Sequence, residues 1–222
     1  MRILHVTPYW SDAWAYGGIP RVAGALAGHL AAAGHDVTVC TTDAHSREAR
    51  RPAGAGADTR GIDLRIFPNR SNRLAYDWQW FTPVGMHRYL RDHAHEFDIA
   101  HLHACRNLPG AMAAHYLDRY GVPFILAPNG TAPVIERRHL AKHAFDWLAG
   151  NRILRNAAAV VAVSEAERRQ LQSLGVADDR IHVVPNPVEL AEFMPGIEPG
   201  RQLIAADAGR DSKCADVIGN SG

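Results

Sequence analysis

Short, almost unbroken apolar runs recur along this sequence, and most lead into a stretch whose apolar residues return at helical spacing. The first run, residues 2–7, ends at Pro8. After a loop at 9–18, Val22, Ala25, Leu26, His29, Leu30 and Ala33 fall on one helical face that stops at Gly34. Further strands are predicted at 37–41, 62–67, 98–103, 124–127, 157–163 and 179–184. Helices are predicted at 20–33, 83–95, 108–120, 136–156 and 165–174. Strands that are apolar on both sides must be covered on both sides. The pattern therefore predicts an α/β fold, a Rossmann-like open, mainly parallel sheet with helices on both faces.

Two segments break the alternation. Residues 43–61 are polar, rich in Gly, Ala and Arg, and read as a mobile loop. Residues 196–222 hold Gly, Asp, Ala and Ser around one small apolar nucleus at 203–206. The sequence thus divides into a Rossmann-like domain, 1–195, and a poorly ordered tail, 196–222. A formal net charge of +1 supplies no field to recruit nucleic acid, and the Arg50–Arg51 and Arg137–Arg138 pairs read as solvated surface. Three widely spaced cysteines make neither a zinc pairing nor a disulfide framework. The longest apolar run, 157–163, is too short to span a bilayer, and the first is too short for a signal peptide, so a cytoplasmic location is expected.

Ligands of an open parallel sheet bind beyond the carboxyl ends of the strands. That rule selects the loops at 9–18, 105–108, 129–134, 164–167 and 185–188. Gly17 and Gly18 immediately precede the first helix, where free N–H groups and the helix dipole favour a phosphate or diphosphate. The same glycines also serve a simple turn. The loop is not Gly-x-Gly-x-x-Gly and is too long for a dinucleotide-binding turn, which counts against a nicotinamide cofactor.

His101 and His103 share one face of a strand. His103 stands at the carboxyl end and is expected to reach the crevice, with His101 packed deeper. No third ligand stands at a metal-binding spacing, so no metal is expected, and His103 suits an uncharged hydrogen-bond donor. Neither a Gly-x-Ser-x-Gly elbow nor a Walker phosphate loop occurs. Glu165 and Glu167 lie in the first turn of a helix that Ser164 caps, and the helix dipole alone accounts for carboxylates there. Asn129-Gly130-Thr131 and Asn186-Pro187 are turn formers. Read from its residues alone, the chain is an anion-binding α/β domain.

Several of these pieces coincide with one family. Residues 3–8, Gly17-Gly18-Ile19-Pro20-Arg21-Val22, His29-Leu30, and residues 34–39, 98–103, 123–131, 160–167 and 180–193 occur in family order and cover most of 1–195. The chain resembles the N-terminal, acceptor-side domain of family 4 glycosyltransferases, which have the GT-B architecture of two facing Rossmann-like domains. The resemblance implies a retaining transfer of a hexose from a nucleoside diphosphate sugar to a glycan or lipid-linked acceptor, with no metal. It implies that Gly17 and Gly18 face the donor diphosphate and that His103, the catalytic candidate, approaches the transferred sugar. Arg21, Asn129, Gly130, Thr131, Ser164, Glu165 and Asn186 would line the cleft on the acceptor side.

The sequence departs from the family in two places. Asn129 stands where relatives often carry histidine, and Asn186-Pro187-Val188-Glu189 replaces a common Asn-Gly-Val-Asp. Nothing after Pro195 matches the donor-side domain, so the resemblance implies an incomplete pair whose C-terminal domain is a separate partner. It leaves room for peripheral contact with the inner face of a membrane. The alternatives are a non-catalytic sugar- or nucleotide-binding module, an inactive remnant, or a dehydrogenase fragment.

Overall fold

Leu4 and Val6 face one core and Ile3 faces another, as the two-residue period of a strand requires. That division organises the molecule. The computed structural model describes residues 1–11, 13–57, 60–131 and 150–187. Its strands are β1 (Arg2–Val6), β2 (Asp36–Thr42), β3 (Gly54–Ala57), β4 (Asp63–Phe67), β5 (Ile99–His103), β6 (Phe124–Ala127), β7 (Ala159–Ala162) and β8 (Ile181–Val183). They form one sheet in the order β3-β4-β2-β1-β5-β6-β7-β8. All neighbours run parallel except β3, which pairs antiparallel with β4 at the edge. The helices are α1 (Ile19–Ala32), α2 (Asn72–Trp78), α3 (Met86–His93), α4 (Leu108–Tyr120), α5 (Asn151–Asn156) and α6 (Glu165–Ser173). Among the described residues no helix is long and apolar enough to cross a membrane.

The larger core sets Leu4, Val6, Ala100, Leu102, Phe124, Leu126 and Val160 against Leu90, Leu117, Leu154 and Leu171 of the helices on that face. Each such buried leucine stabilises the fold by about 1.5–3 kcal/mol. On the other face Ile3, Val37 and Val39 pack under Ala23 and Ala27 of α1. Both faces of the central strands are covered, which explains why their sequences read as continuous apolar runs.

The predicted bounds of α4 and β6 coincide with those observed. Asn107 caps α4 by accepting from Gly110 N at 2.7 Å, and Gly121 ends it in the left-handed conformation, φ 68°. Two expectations need correction. The 43–61 segment is not a free loop: it contains β3, and its Asp43 is buried and accepts hydrogen bonds from Asn69 N (2.9 Å), Asn69 Nδ2 (3.2 Å) and Arg50 Nη1 (3.2 Å). A short helix not predicted from the sequence, α2, is capped by Ser71, which accepts from Leu74 N, and ends at Trp78. The predicted helix 83–95 starts at Met86, after Gly85 with φ 89°, and continues as a 3-10 turn to Glu96.

Met1–Pro187 make one compact unit. Residues 132–149 and 188–222 lie outside the described residues, and with them most of the predicted helix 136–156, the expected domain end at 195 and the 196–222 tail.

Candidate functional site

The chain leaves β1 toward β2 on one side of the sheet, while β5 opens the other side. The seam between β1 and β5 is therefore the topological switch point, where a crevice forms beyond the strand ends. The loops that follow β1 and β5 leave from that seam, and the loop that follows β6 is bonded to the loop after β5. Backbone strain is found in the same loops: of the four described residues other than glycine with positive φ, three are Ser11, Ala104 and Asn129, at 35°, 64° and 51°, and the fourth, Gln79, ends α2. Such conformations cost of order 1–3 kcal/mol each, less for Asn, and persist only where surrounding contacts enforce them.

The loop after β1 is clamped by aromatic rings. Tyr9 stacks on Tyr16 at 4.9 Å and meets Phe81 edge-on at 5.7 Å, while Thr7 Oγ1 donates to the Tyr9 carbonyl at 2.9 Å. This clamp delivers Gly17 and Gly18 to the start of α1. Gly17 needs its positive φ of 85°, but Gly18 has an ordinary φ of −83°. Both are exposed, and a Cβ built on either would meet nothing within 4 Å. Neither backbone strain nor internal crowding explains Gly18, so its bare backbone is open to something outside the chain. No side chain caps α1 here, and apart from Pro20, which has none, the N–H groups of its first turn are the uncapped donors of a helix start. Arg21 lies in that turn, half-buried.

Beneath the crevice three imidazoles gather on one face of the sheet. The register sets His5 of β1 beside His101 of β5, and His103 follows two residues on. His5 Nδ1 and His103 Nε2 are 3.0 Å apart, and the two rings lie edge to edge in nearly one plane, 5.3 Å between centroids and 19° between planes. His101 stacks on His103 at 4.3 Å with 14° between planes. His5 and His103 are buried at 0% and 1% exposure, whereas His101 keeps some solvent contact. The expected order of burial for the β5 pair is thus reversed. The chain turns back at once through Ala104, and Asn107 Nδ2 donates to the carbonyls of His103 (3.3 Å) and Ala104 (3.0 Å), which closes the strand end. Burial lowers all three pKa values, His5 to about 3, His101 to about 4 and His103 well below the usual range, so the cluster is neutral at physiological pH.

The fold thus supplies from β1 the third histidine that spacing along the chain does not reveal. Each ring offers a nitrogen within 4.8 Å of the others. Their planes, however, lie only 14°, 19° and 33° apart. With nitrogens 3.0 Å and centroids 5.3 Å apart, His5 and His103 meet edge to edge in nearly one plane, nitrogen facing nitrogen across a shared proton, a place that a metal takes only by breaking that bond. The arrangement is that of hydrogen-bonded neutral imidazoles.

The third wall is the Asn129-Gly130-Thr131 turn. Thr131 Oγ1 accepts from Cys105 N at 2.8 Å, and Arg106 Nη1 donates to the Thr131 carbonyl at 2.9 Å. These bonds join the loops after β5 and β6. Glu167, 3% exposed, accepts from Gly130 N at 2.6 Å and from Val163 N at 2.8 Å. Its one carboxylate ties the loop after β6 to the loop after β7.

The structure thus joins Asn129, Gly130 and Thr131 to the loop after β5, ends β5 at the buried His103, and sets Gly17, Gly18 and Arg21 at the start of α1. Ser164 serves as the cap of α6 by accepting from Glu167 N at 3.3 Å. Glu165 points outward, 62% exposed, and pairs with Arg168 at 3.7 Å. Asn186 follows β8, three strand spacings from β5, roughly 14 Å across the sheet. Residues 132–134 of the predicted 129–134 loop lie outside the described residues. Sequence reasoning gave His5 no role and Glu167 only a local one. A lone polar residue inside an otherwise apolar first strand was the available signal for His5; nothing local marks the partner of Glu167.

A family model described as Glycosyltransferase Family 4 matches residues 16–192. No curated protein matches the chain in sequence. Among solved structures, a glycosyltransferase from Rickettsia africae ESF-5 is similar at 18% identity, TM-score 0.57, over 95% of this chain and 49% of that one. Anabaena Alr3699/HepE in complex with UDP and glucose is similar at 16% identity, TM-score 0.54, over 85% of this chain and 45% of that one. The same Anabaena protein in complex with UDP matches at 16% identity and TM-score 0.53. The chain spans about half the length of these structures.

Proposed function

The chain belongs to glycosyltransferase family 4, and on that footing we propose that it is the acceptor-side domain of a retaining, nucleoside diphosphate sugar-dependent transferase. It transfers a hexose to a glycan or lipid-linked acceptor, in the cytoplasm or at the inner face of its membrane. A C-terminal domain completes the cleft and makes most donor contacts. The observation that carries this reading is the exposed Gly17-Gly18 lip at the start of α1, beside the switch-point seam, with open space where side chains would stand. UDP or a UDP-sugar is the natural first donor to try, since a similar fold from Anabaena holds UDP.

In such a transfer the bond between the anomeric carbon and the diphosphate oxygen breaks as the acceptor oxygen approaches from the same face. The acceptor proton passes to the departing diphosphate. Negative charge grows on the leaving group, and the N–H groups at the start of α1 are fixed dipoles that stabilise it. His103, held neutral, orients the transferred sugar through a hydrogen bond without adding a charge. Glu167, through Gly130, and Cys105, through Thr131, hold the opposite wall in shape.

Calorimetric titration of the purified chain with UDP and UDP-glucose, beside a radiolabelled transfer assay, tests the reading. Weak donor binding that strengthens when the separately produced C-terminal domain is added, with transfer appearing only then, is the expected result. Preferential binding of a nicotinamide cofactor would overturn it. Sugar or nucleotide binding with no transfer under any pairing would leave a binding module instead.

A further inference from the structure

We propose that His5 is the positioning residue that fixes the tautomer of His103: His5 Nδ1–H donates to His103 Nε2, so that His103 carries its proton on Nδ1. The proposal rests on the reading of His103 as the group that meets the transferred sugar.

The 3.0 Å separation of His5 Nδ1 and His103 Nε2 is a hydrogen bond only if one proton lies between them. Neutral imidazole has one N–H and one bare nitrogen. The tautomers of the two rings are therefore tied together, and whatever nitrogen His5 protonates decides which nitrogen His103 protonates. His103 Nδ1 and His5 Nε2 are buried and have no hydrogen-bond partner among the described residues. If His103 Nε2 were the donor, His103 would offer its surroundings only a bare nitrogen. With His5 as donor, His103 keeps an N–H free for a partner from outside. Each arrangement leaves one N–H and one bare nitrogen unpaired, and only with His5 as donor does that N–H lie on the ring at the carboxyl end of β5, the end of the sheet where ligands bind, which selects the second arrangement.

His5 is suited to the task because it cannot shift. It lies in β1, hydrogen-bonded on both sides, to β2 and to β5. His103 is restrained from turning over to exchange its nitrogens, because His5 meets its edge at 3.0 Å and the His101 ring stacks on its face at 4.3 Å. The two partners are 98 residues apart in sequence, and only the sheet register joins them.

Long-range 1H–15N correlation spectra of the full chain, labelled at histidine, read each imidazole nitrogen as protonated or bare. The expected spectrum has His103 protonated at Nδ1 and bare at Nε2, with His5 protonated at Nδ1. His103 protonated at Nε2, or a stoichiometric metal that shifts all three rings, overturns the proposal. His5→Asn places an amide N–H near the position of Nδ1 and should preserve the His103 tautomer. His5→Phe removes the donor and should release it, giving a mixed or reversed His103 pattern. If His5→Phe does not fold, the wild-type and His5→Asn spectra decide. Addition of UDP-glucose together with the C-terminal domain separates the two layers. The expected tautomer with no response at His103 Nδ1 would remove the functional reading of His103 and leave the pairing intact; the wrong tautomer removes the pairing whether or not nucleotide binds.

Discussion

The carboxylate of Glu167 accepts a 2.6 Å hydrogen bond from the backbone N–H of Gly130, 37 residues earlier in the chain, and with its other oxygen accepts from Val163 N. Neither N–H has an equivalent substitute once the carboxylate is gone. Glu167→Ala should destabilise the fold by about 2–4 kcal/mol, and Glu167→Gln by roughly 1–2 kcal/mol because an amide keeps only one acceptor. Urea unfolding of the two variants checks the ranking. Equal stability to wild type would mean that the loops are held by other contacts.

Gly17 and Gly18 should respond differently to the same change. Gly17→Ala forces a Cβ into the left-handed region at φ 85° and should cost about 1–2 kcal/mol. Gly18→Ala meets no clash and an ordinary φ, so stability should move by less than about 1 kcal/mol. Its UDP-glucose affinity in the completed transferase should nevertheless fall by roughly tenfold, the equivalent of one close backbone contact. Thermal melts beside calorimetry separate the two effects, and unchanged affinity would remove the diphosphate from this lip.

The neutral histidines predict an acid sensitivity of defined sign. Burial holds the folded pKa of His5 at about 3 and that of His103 well below its usual range, while the unfolded chain titrates near 6.5. Below that point the unfolded state binds protons that the folded state refuses. Stability is therefore complete above about pH 6.5 and falls as pH drops toward the folded values, by about 1.4 kcal/mol per pH unit for each such histidine. Urea midpoints measured from pH 7.5 to 5 should decline, and His5→Asn should decline less steeply. A flat profile would mean that the rings accept charge in the folded protein.

Asp43 offers a test of the corrected loop. It is the shared acceptor for Asn69 and Arg50, and Asn69 in turn accepts from Thr82 N at 2.9 Å. Asp43→Ala should cost about 1–3 kcal/mol by leaving the buried Asn69 N–H without its acceptor, while the half-exposed Arg50 keeps the Asn69 carbonyl. Limited proteolysis should then cut within residues 44–57, where wild type resists; resistance in the variant would show that β3 alone secures the segment.

What the sequence revealed followed the range of the interactions involved. The cap at Asn107, the stop at Gly121 and the cap at Ser164 act within four residues of themselves, so α4 and the start of α6 were legible. The strand β3 was not, because Gly54-Ala55-Gly56-Ala57 has low strand propensity and takes its conformation from β4. The short α2 gave too few turns to establish a period. At the candidate site the glycine lip and His103 were marked by local chemistry, whereas the pairings of His5 with His103 and Glu167 with Gly130 join positions 98 and 37 residues apart. Such pairs are set by sheet order and register, which periodicity does not specify.

The composition of β3 has one more effect. A sheet of parallel strands exposes a row of unpaired peptide groups at each margin, which another chain can adopt as a template. Here one margin is four residues of glycine and alanine, with little side-chain surface to hold a visiting strand. The other is the three-residue β8, and Pro185 and Pro187, just beyond it, have no N–H to offer. Both margins are short and poor templates, so the sheet carries its own protection against recruiting further copies while its long central strands remain enclosed.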